Sequence, residues 1–308
     1  MAGRPDEEKG GLVSPKRFSA FLALALYLAA FAPVARAAGP SAGQVADVTA
    51  TPTGRSLAAQ ALTRWQGHKW DTSAIQPRHV LKVGDGDYLI ASFLPTNLKM
   101  DTGQTTSAGV SPTVTFDVSA EAAPSTAGPM APATSAQWVW IGQNCFSRMS
   151  NGYGWLDSCY VMHKLNYESD PRDFYQLEQY GTVGAANTYP IGKIYDGWLA
   201  AQKASSSSAM SWIDWSPRGS VSGSCVVEPL SVTALGVSIT GSGIMCERWN
   251  IYKYSDGGHF ENQWSCGCVY PFGQPYPNTR EIDYMQAISV PGGGSAVWTL
   301  SAGFTAVP

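Results

Sequence analysis

The chain has 308 residues, with 20 Lys or Arg and 23 Asp or Glu, so its formal net charge is −3. The leader described next holds five of the basic and three of the acidic residues, so the remainder has 15 against 20 and a net charge of −5. This acidic balance excludes a partner held through clustered Lys and Arg, such as a nucleic acid.

The first 37 residues have the three parts of a secretory signal peptide. A polar segment ends in Lys16 and Arg17, an apolar run covers residues 20–32, and a small-residue cleavage motif follows at residues 35–37. We therefore expect cleavage after Ala37 and a secreted, extracellular protein. Later segments are too polar to cross a bilayer as a helix, so we expect no stable membrane insertion.

Residues 38–118 are predicted to form a small α+β unit. A helix is expected over residues 56–65, a hairpin over 79–83 and 88–93, and a further strand over 113–118. The unit is interpreted as an accessory domain, a stalk or a pro-segment that is removed. Residues 119–136 are rich in Ala, Ser, Thr and Pro and are predicted to be an exposed linker.

Residues 137–308 are predicted to be an all-β domain stapled by disulfides. Short alternating segments separated by Gly, Pro, Asn and Asp indicate about ten antiparallel strands. They favour a jelly-roll-like β-sandwich, with a barrel as the alternative. Besides two strands that form a hairpin, described next, strands are expected at residues 137–143, 191–199, 210–215, 231–240, 245–254, 262–269, 282–290 and 296–306.

The apolar pattern also predicts a register for the hairpin that ends near Pro171. Leu165 is expected opposite Leu177, which places Lys164 opposite Glu178 as a favourable charge pair on the outer face. The same register sets Tyr167 opposite Tyr175. It places His163 on the inner face, opposite Gln179, as a core histidine satisfied by hydrogen bonds. On the outer face it places four large side chains: Tyr160, Met162, Phe174 and Tyr180.

All six cysteines follow the linker, and in an oxidising compartment they are expected to form three disulfides. Cys145 and Cys159 are expected to pair with each other, closing a short loop. The other four are expected to pair in an order that the sequence leaves open: Cys225, Cys246, Cys266 and Cys268. Because the set lacks C-x-x-C spacing, no metal site is expected.

The sequence contains none of the common local motifs of catalysis or nucleotide binding, and no cofactor is expected. Gly241-Ser242-Gly243 is interpreted as a turn. His259 and Glu261 follow a flexible Asp-Gly-Gly segment and are weak candidates for acid–base catalysis, since in an extended chain they project to one side.

The aromatic pattern favours a ligand surface. If Trp249 faces the core, the opposite side of its strand carries two tyrosines with a guanidinium and an amide, a combination that suits a sugar ring: Arg248, Asn250, Tyr252 and Tyr254. The first hypothesis is therefore a secreted, non-catalytic binding module for carbohydrate or another cell-surface component. A secreted glycosidase or peptidase, matured by loss of residues 38–118, is the alternative, and a structural or toxin-like surface protein is a third. The oligomeric state is left open.

Overall fold

The computed structural model describes residues 45–67, 70–84, 86–103, 105–106, 109–120, 136–150, 152–167, 169–186, 193–219, 226–245, 249–253, 259–265 and 279–307. In these ranges one helix, α1 (Pro52–Trp65), accompanies the strands. The strands are β1 (Ala46–Asp47), β2 (His79–Val83), β3 (Asp87–Ala91), β4 (Thr96–Asp101), β5 (Thr105–Thr106), β6 (Gly109–Val110), β7 (Thr113–Ser119), β8 (Gln137–Ser150), β9 (Gly154–Asn166), β10 (Arg172–Ala185), β11 (Lys193–Lys203), β12 (Ser211–Ser216), β13 (Val226–Ala234), β14 (Val237–Met245), β15 (Trp249–Lys253), β16 (His259–Ser265), β17 (Thr279–Pro291) and β18 (Val297–Val307).

Two antiparallel sheets form the fold, which confirms the predicted all-β sandwich. The first sheet has the strand order β1-β2-β3-β8-β9-β10-β17-β12. The second has the strand order β15-β16-β11-β18. The other edge of β18 pairs with both β7 and β6. β7 pairs further with β4, and β6 pairs further with β5. Neither strand path closes into a barrel over the described residues. The hairpin β13–β14 pairs with neither sheet.

The main core lies between the two sheets and follows from the alternation along each strand. In β7, Val114, Phe116 and Val118 are buried, whereas Thr115 and Asp117 between them are not. The Phe116 ring meets that of Phe146 in the first sheet edge to face, 4.9 Å between centroids. We call the side of each sheet that faces this core its inner face, and the other its outer face.

The chain before the linker takes part in both sheets. β3 pairs with β8, and β7 pairs with β18, so the sandwich includes strands from residues 79–119 as well as from 137–307. The predicted helix is present as α1, and the predicted hairpin is present as β2–β3. The leader and residues 121–135 of the linker lie outside the described residues, so cleavage at either place stays a prediction.

Helix α1 is anchored to the outer face of the first sheet by polar contacts. Trp65 Nε1 donates to Ser147 Oγ at 2.9 Å, and Ser147 in turn hydrogen-bonds Asp157. Arg64 forms an ion pair with Asp157. Burial raises the pKa of the Asp157 carboxyl, and the Arg64 pair acts against this rise. No described helix is long and apolar enough to span a membrane.

The predicted register of the β9–β10 hairpin is wrong by three residues. Leu177 lies opposite Met162, not Leu165, and Glu178 lies opposite Val161. Lys164 lies opposite Tyr175. The predicted pairs Lys164–Glu178 and Tyr167–Tyr175 therefore do not form.

This shift also exchanges the faces of β9. Tyr160 and Met162, predicted to point outward, belong to the core between the sheets, whereas Phe174 packs in a separate cluster against the β13–β14 hairpin. Both faces of this hairpin are apolar because both are covered, one by the second sheet and the other by α1 and β13–β14. Alternation therefore could not identify the core face.

A tight hairpin replaces the single strand predicted over residues 231–240. β13 and β14 join through Leu235 and Gly236, both with positive φ (49° and 79°), as a two-residue turn of this kind requires. Leu is a poor marker of such a turn, so the sequence pattern did not reveal it. Gly241 and Gly243 lie inside β14, so their interpretation as a turn is wrong.

Candidate functional site

Cys145 and Cys159 form the predicted disulfide. They are directly opposite one another on β8 and β9, with a Cα–Cα distance of 4.0 Å. The other four cysteines lie outside the described residues, so their pairing stays a prediction: Cys225, Cys246, Cys266 and Cys268.

Four of the sequence-predicted ligand and catalytic residues lie on the strand pair β15–β16 at the edge of the second sheet: Asn250, Tyr252, His259 and Glu261. Arg248 and Tyr254 are outside the described residues. The strand register places Tyr252 directly opposite Glu261 and Asn250 opposite Gln263. His259 is two positions from Glu261 on β16, so backbone pairing brings both predicted groups to one pair of strands. Their roles stay predictions.

Among the described side chains, aromatic and polar groups converge at a cavity of about 410 Å³ on the outer face of the first sheet. This volume lies within the usual range of small-molecule sites. Four parts of the chain enclose it: the strands β8 to β10, the strand β17, the segment after α1, and β14, which we call the β14 wall. Its lining is Trp70, Asp71, Trp140, Gln143, Val161, His163, Glu178, Ile239, Thr240, Gly241 and Met285. We call it the Trp140 cavity.

Strand pairing positions the centre of this cavity. Trp140 on β8 lies opposite His163 on β9, and His163 lies opposite Gln176 on β10. Directly opposite residues point to the same face of a sheet, so an indole, an imidazole and an amide form one row. The Trp140 side chain is 58% exposed, an unusual state for an indole.

His163 is held by a hydrogen bond at one ring nitrogen. Its Nδ1 lies 2.7 Å from Gln176 Oε1. If that oxygen accepts, the neutral ring carries its proton on Nδ1, and Nε2 is left as an acceptor. Burial lowers the pKa of His163, against a smaller opposite effect of the Gln176 bond, so the ring is neutral at pH 7.

Two amide nitrogens at this row are buried without a hydrogen-bond partner. They are Gln143 Nε2, in the cavity lining, and Gln176 Nε2, on a fully buried side chain behind His163. A buried donor left unpaired costs about 1–3 kcal/mol. Of the two, Gln143 Nε2 lies at the cavity and is available to a ligand or to bound water, whereas Gln176 is not part of the lining.

The β14 wall approaches the sheet closely at Gly241. A Cβ atom at this position would lie 3.0 Å from Glu178 Oε1 and 3.1 Å from Met285 Cε. Glycine therefore lets β14 lie against Glu178 and Met285 without displacing the ends of these two side chains. On the opposite side of the cavity, Asp71 accepts from the Ser73 backbone and side chain, and these bonds lower its pKa.

A second cavity, of about 520 Å³, opens at the end of the sandwich near Pro171. Its charges already neutralise each other: Lys164 Nζ lies 2.8 Å from Asp173 Oδ1, and Arg172 Nε lies 2.9 Å from Asp170 Oδ1. These four charged side chains therefore already have partners at the cavity, which makes it a weaker candidate for a charged ligand.

Sequence reasoning missed most of the Trp140 cavity. Trp140 falls within a predicted strand, but its exposure depends on β3 ending before it. His163 was expected on the inner face, and the corrected register moves it to the outer one. The signal that the sequence contained is the pair of tryptophans two positions apart, Trp138 and Trp140, which share one face of a strand.

No protein-family model matches the chain, and no curated protein matches it. Among solved structures, Clostridium perfringens delta-toxin is similar to the chain at a TM-score of 0.31 and 8% sequence identity, over 73% of this chain and 90% of the toxin chain.

Proposed function

We propose that the protein is a secreted binding module that holds a saccharide in the Trp140 cavity without chemically changing it. The observation that carries this proposal is the exposed Trp140 indole next to the unpaired amide nitrogen of Gln143. The apolar face of a sugar ring can stack on the indole, while its hydroxyls accept from the amide and donate to His163. The predicted leader supports secretion, and so does the Cys145–Cys159 disulfide, which is typical of oxidising compartments.

The dimensions of the site support a ligand of one or two sugar rings. The Trp140 cavity, at about 410 Å³, has room for such a ligand. Its polar side chains on the sheet lie in two neighbouring rows, one with His163 and one with Gln143 and Glu178. Small-molecule sites usually have a few such polar groups, which orient the ligand. Asp71 and Glu178 add negative charge, which disfavours an acidic sugar.

A glycan and cell-wall polysaccharide panel, followed by calorimetry on each hit, tests the proposal. Trp140→Ala should raise Kd roughly tenfold, since an aromatic contact contributes about 0.5–1.5 kcal/mol beyond the area it buries. Gln143→Leu should also raise Kd while leaving the fold stable, because it removes a buried unpaired donor.

Tyr167→Ala is the matched control, because Tyr167 is also an exposed aromatic residue (42%) but does not line the Trp140 cavity. Its Kd should equal that of the unmodified protein. The absence of any hit on a broad panel, or equal losses for Trp140→Ala and Tyr167→Ala, would contradict the proposal.

A further inference from the structure

Strand β8 is paired on both edges over only part of its length. β9 pairs with it from Gln137 to Ser150. β3 pairs with the other edge only from Phe146 to Ser150, and Ser92 extends those bonds to Cys145. Within the part of the chain that the structure describes, no strand pairs with the other edge of residues 137–141. We call these five residues the free edge.

The free edge lacks the features that usually prevent strands from pairing between molecules. Its sequence, Gln-Trp-Val-Trp-Ile, contains no charge and no proline, and these are the common protections of an edge strand. The register shift between Trp140 and Gly142 comes only at its end. Backbone N–H and C=O groups that no described strand pairs there can bond another extended segment.

The neighbouring linker is poorly suited to cover this edge. Residues 121–135 directly precede β8 but contain three prolines, at positions 124, 129 and 132. Proline has no backbone donor and is excluded from the interior of paired strands. A strand from outside the chain fits better, and the uncharged free edge complements itself, because no like charges would meet.

We propose that the free edge pairs antiparallel with the free edge of a second copy, around a two-fold axis at Val139. Antiparallel self-pairing is isologous, so it closes as a dimer. With Val139 on the axis, Trp138 of each copy lies opposite Trp140 of the other, giving two cross-strand aromatic pairs. The exposed part of Trp140 is then partly covered by the partner. Val139 does not line the Trp140 cavity, so a Val139 variant removes no residue of the saccharide site. A dimer that covers Trp140 would, however, compete with a saccharide for the same indole.

Sedimentation velocity of the exported chain over a wide concentration range tests the dimer. The expected result is a monomer–dimer equilibrium without larger species. Val139→Lys, which places a charge on the axis of the free edge, should raise the dimer Kd roughly tenfold or more. Leu94→Lys, at an exposed residue (67%) off the free edge, should leave the Kd unchanged.

Hydrogen exchange of the unmodified protein provides a second measurement in case Val139→Lys fails to fold. The backbone amides of residues 137–141 should exchange more slowly as protein concentration rises, whereas those of β12, at the other edge of the first sheet, should not change. A protein that stays monomeric throughout, a series of open oligomers, or concentration-independent exchange of the free edge would each overturn the proposal.

Discussion

Two glutamines on the inner face of the first sheet should respond in opposite directions to the same substitution. Gln286 is fully buried opposite Leu177, and neither its Nε2 nor its Oε1 has a partner among the described residues. Gln286→Met keeps the length of the side chain and removes both unpaired atoms. It should raise the free energy of unfolding by about 1–3 kcal/mol.

The matched control is Gln179→Met. Gln179 is equally buried, but its Nε2 donates to Ser158 Oγ at 3.1 Å and its Oε1 accepts from Tyr284 at 2.7 Å. Substitution would remove the bonds to Ser158 and Tyr284, although Ser158 Oγ would keep its bond to the Tyr180 carbonyl. It should therefore lower the free energy of unfolding by about 1–3 kcal/mol.

Urea unfolding followed by tryptophan fluorescence measures both changes, and calorimetry should show Tm shifts of about 2–4 °C per kcal/mol. A Gln286→Met protein less stable than the unmodified one would refute the reasoning. Its amide would then be satisfied in solution, for instance by a buried water molecule.

Two further predictions concern the disulfide and His163. Replacing Cys145 and Cys159 by Ala should lower the free energy of unfolding by up to about 3 kcal/mol through the short loop that they close; unchanged urea midpoints with and without reductant would contradict this. Because burial lowers the pKa of His163, the unfolded chain binds a proton more readily than the folded one. The contribution of His163 to the free energy of unfolding is fully present above its pKa in the unfolded chain, about 6.5. It declines as the pH falls through that value towards the lower pKa of the folded protein. Unfolding curves from pH 5 to 8 should show this decline in the unmodified protein and less of it in His163→Gln; equal slopes would argue against it.

Local signals predicted much of the secondary structure. The helix predicted over residues 56–65 is present, but it begins four residues earlier, at Pro52, where Thr51 accepts from the Gly54 backbone as its N-cap. The β2–β3 hairpin follows from its Gly-Asp turn and alternating strands. Its register with β8, however, depends on a strand some 60 residues away and could not be derived from local pattern.

The Trp140 cavity shows why the site was harder to predict than the elements. Its residues come from four separate parts of the chain, and its row of Trp140, His163 and Gln176 exists only in the observed register. A shift by an odd number of residues exchanges the faces of a strand, so the error of three placed His163 on the wrong side.

The sequence by itself determined the all-β class and the Cys145–Cys159 pair, because each depends on composition or on residues close together in the chain. The export leader stays a prediction. Only the tertiary structure decided the face of β9, the inclusion of residues 79–119 in the sandwich and the meeting of Trp140 with His163. These depend on which surfaces are covered from both sides. Local alternation reports that a strand is buried, and only its packing partners decide which side faces the core.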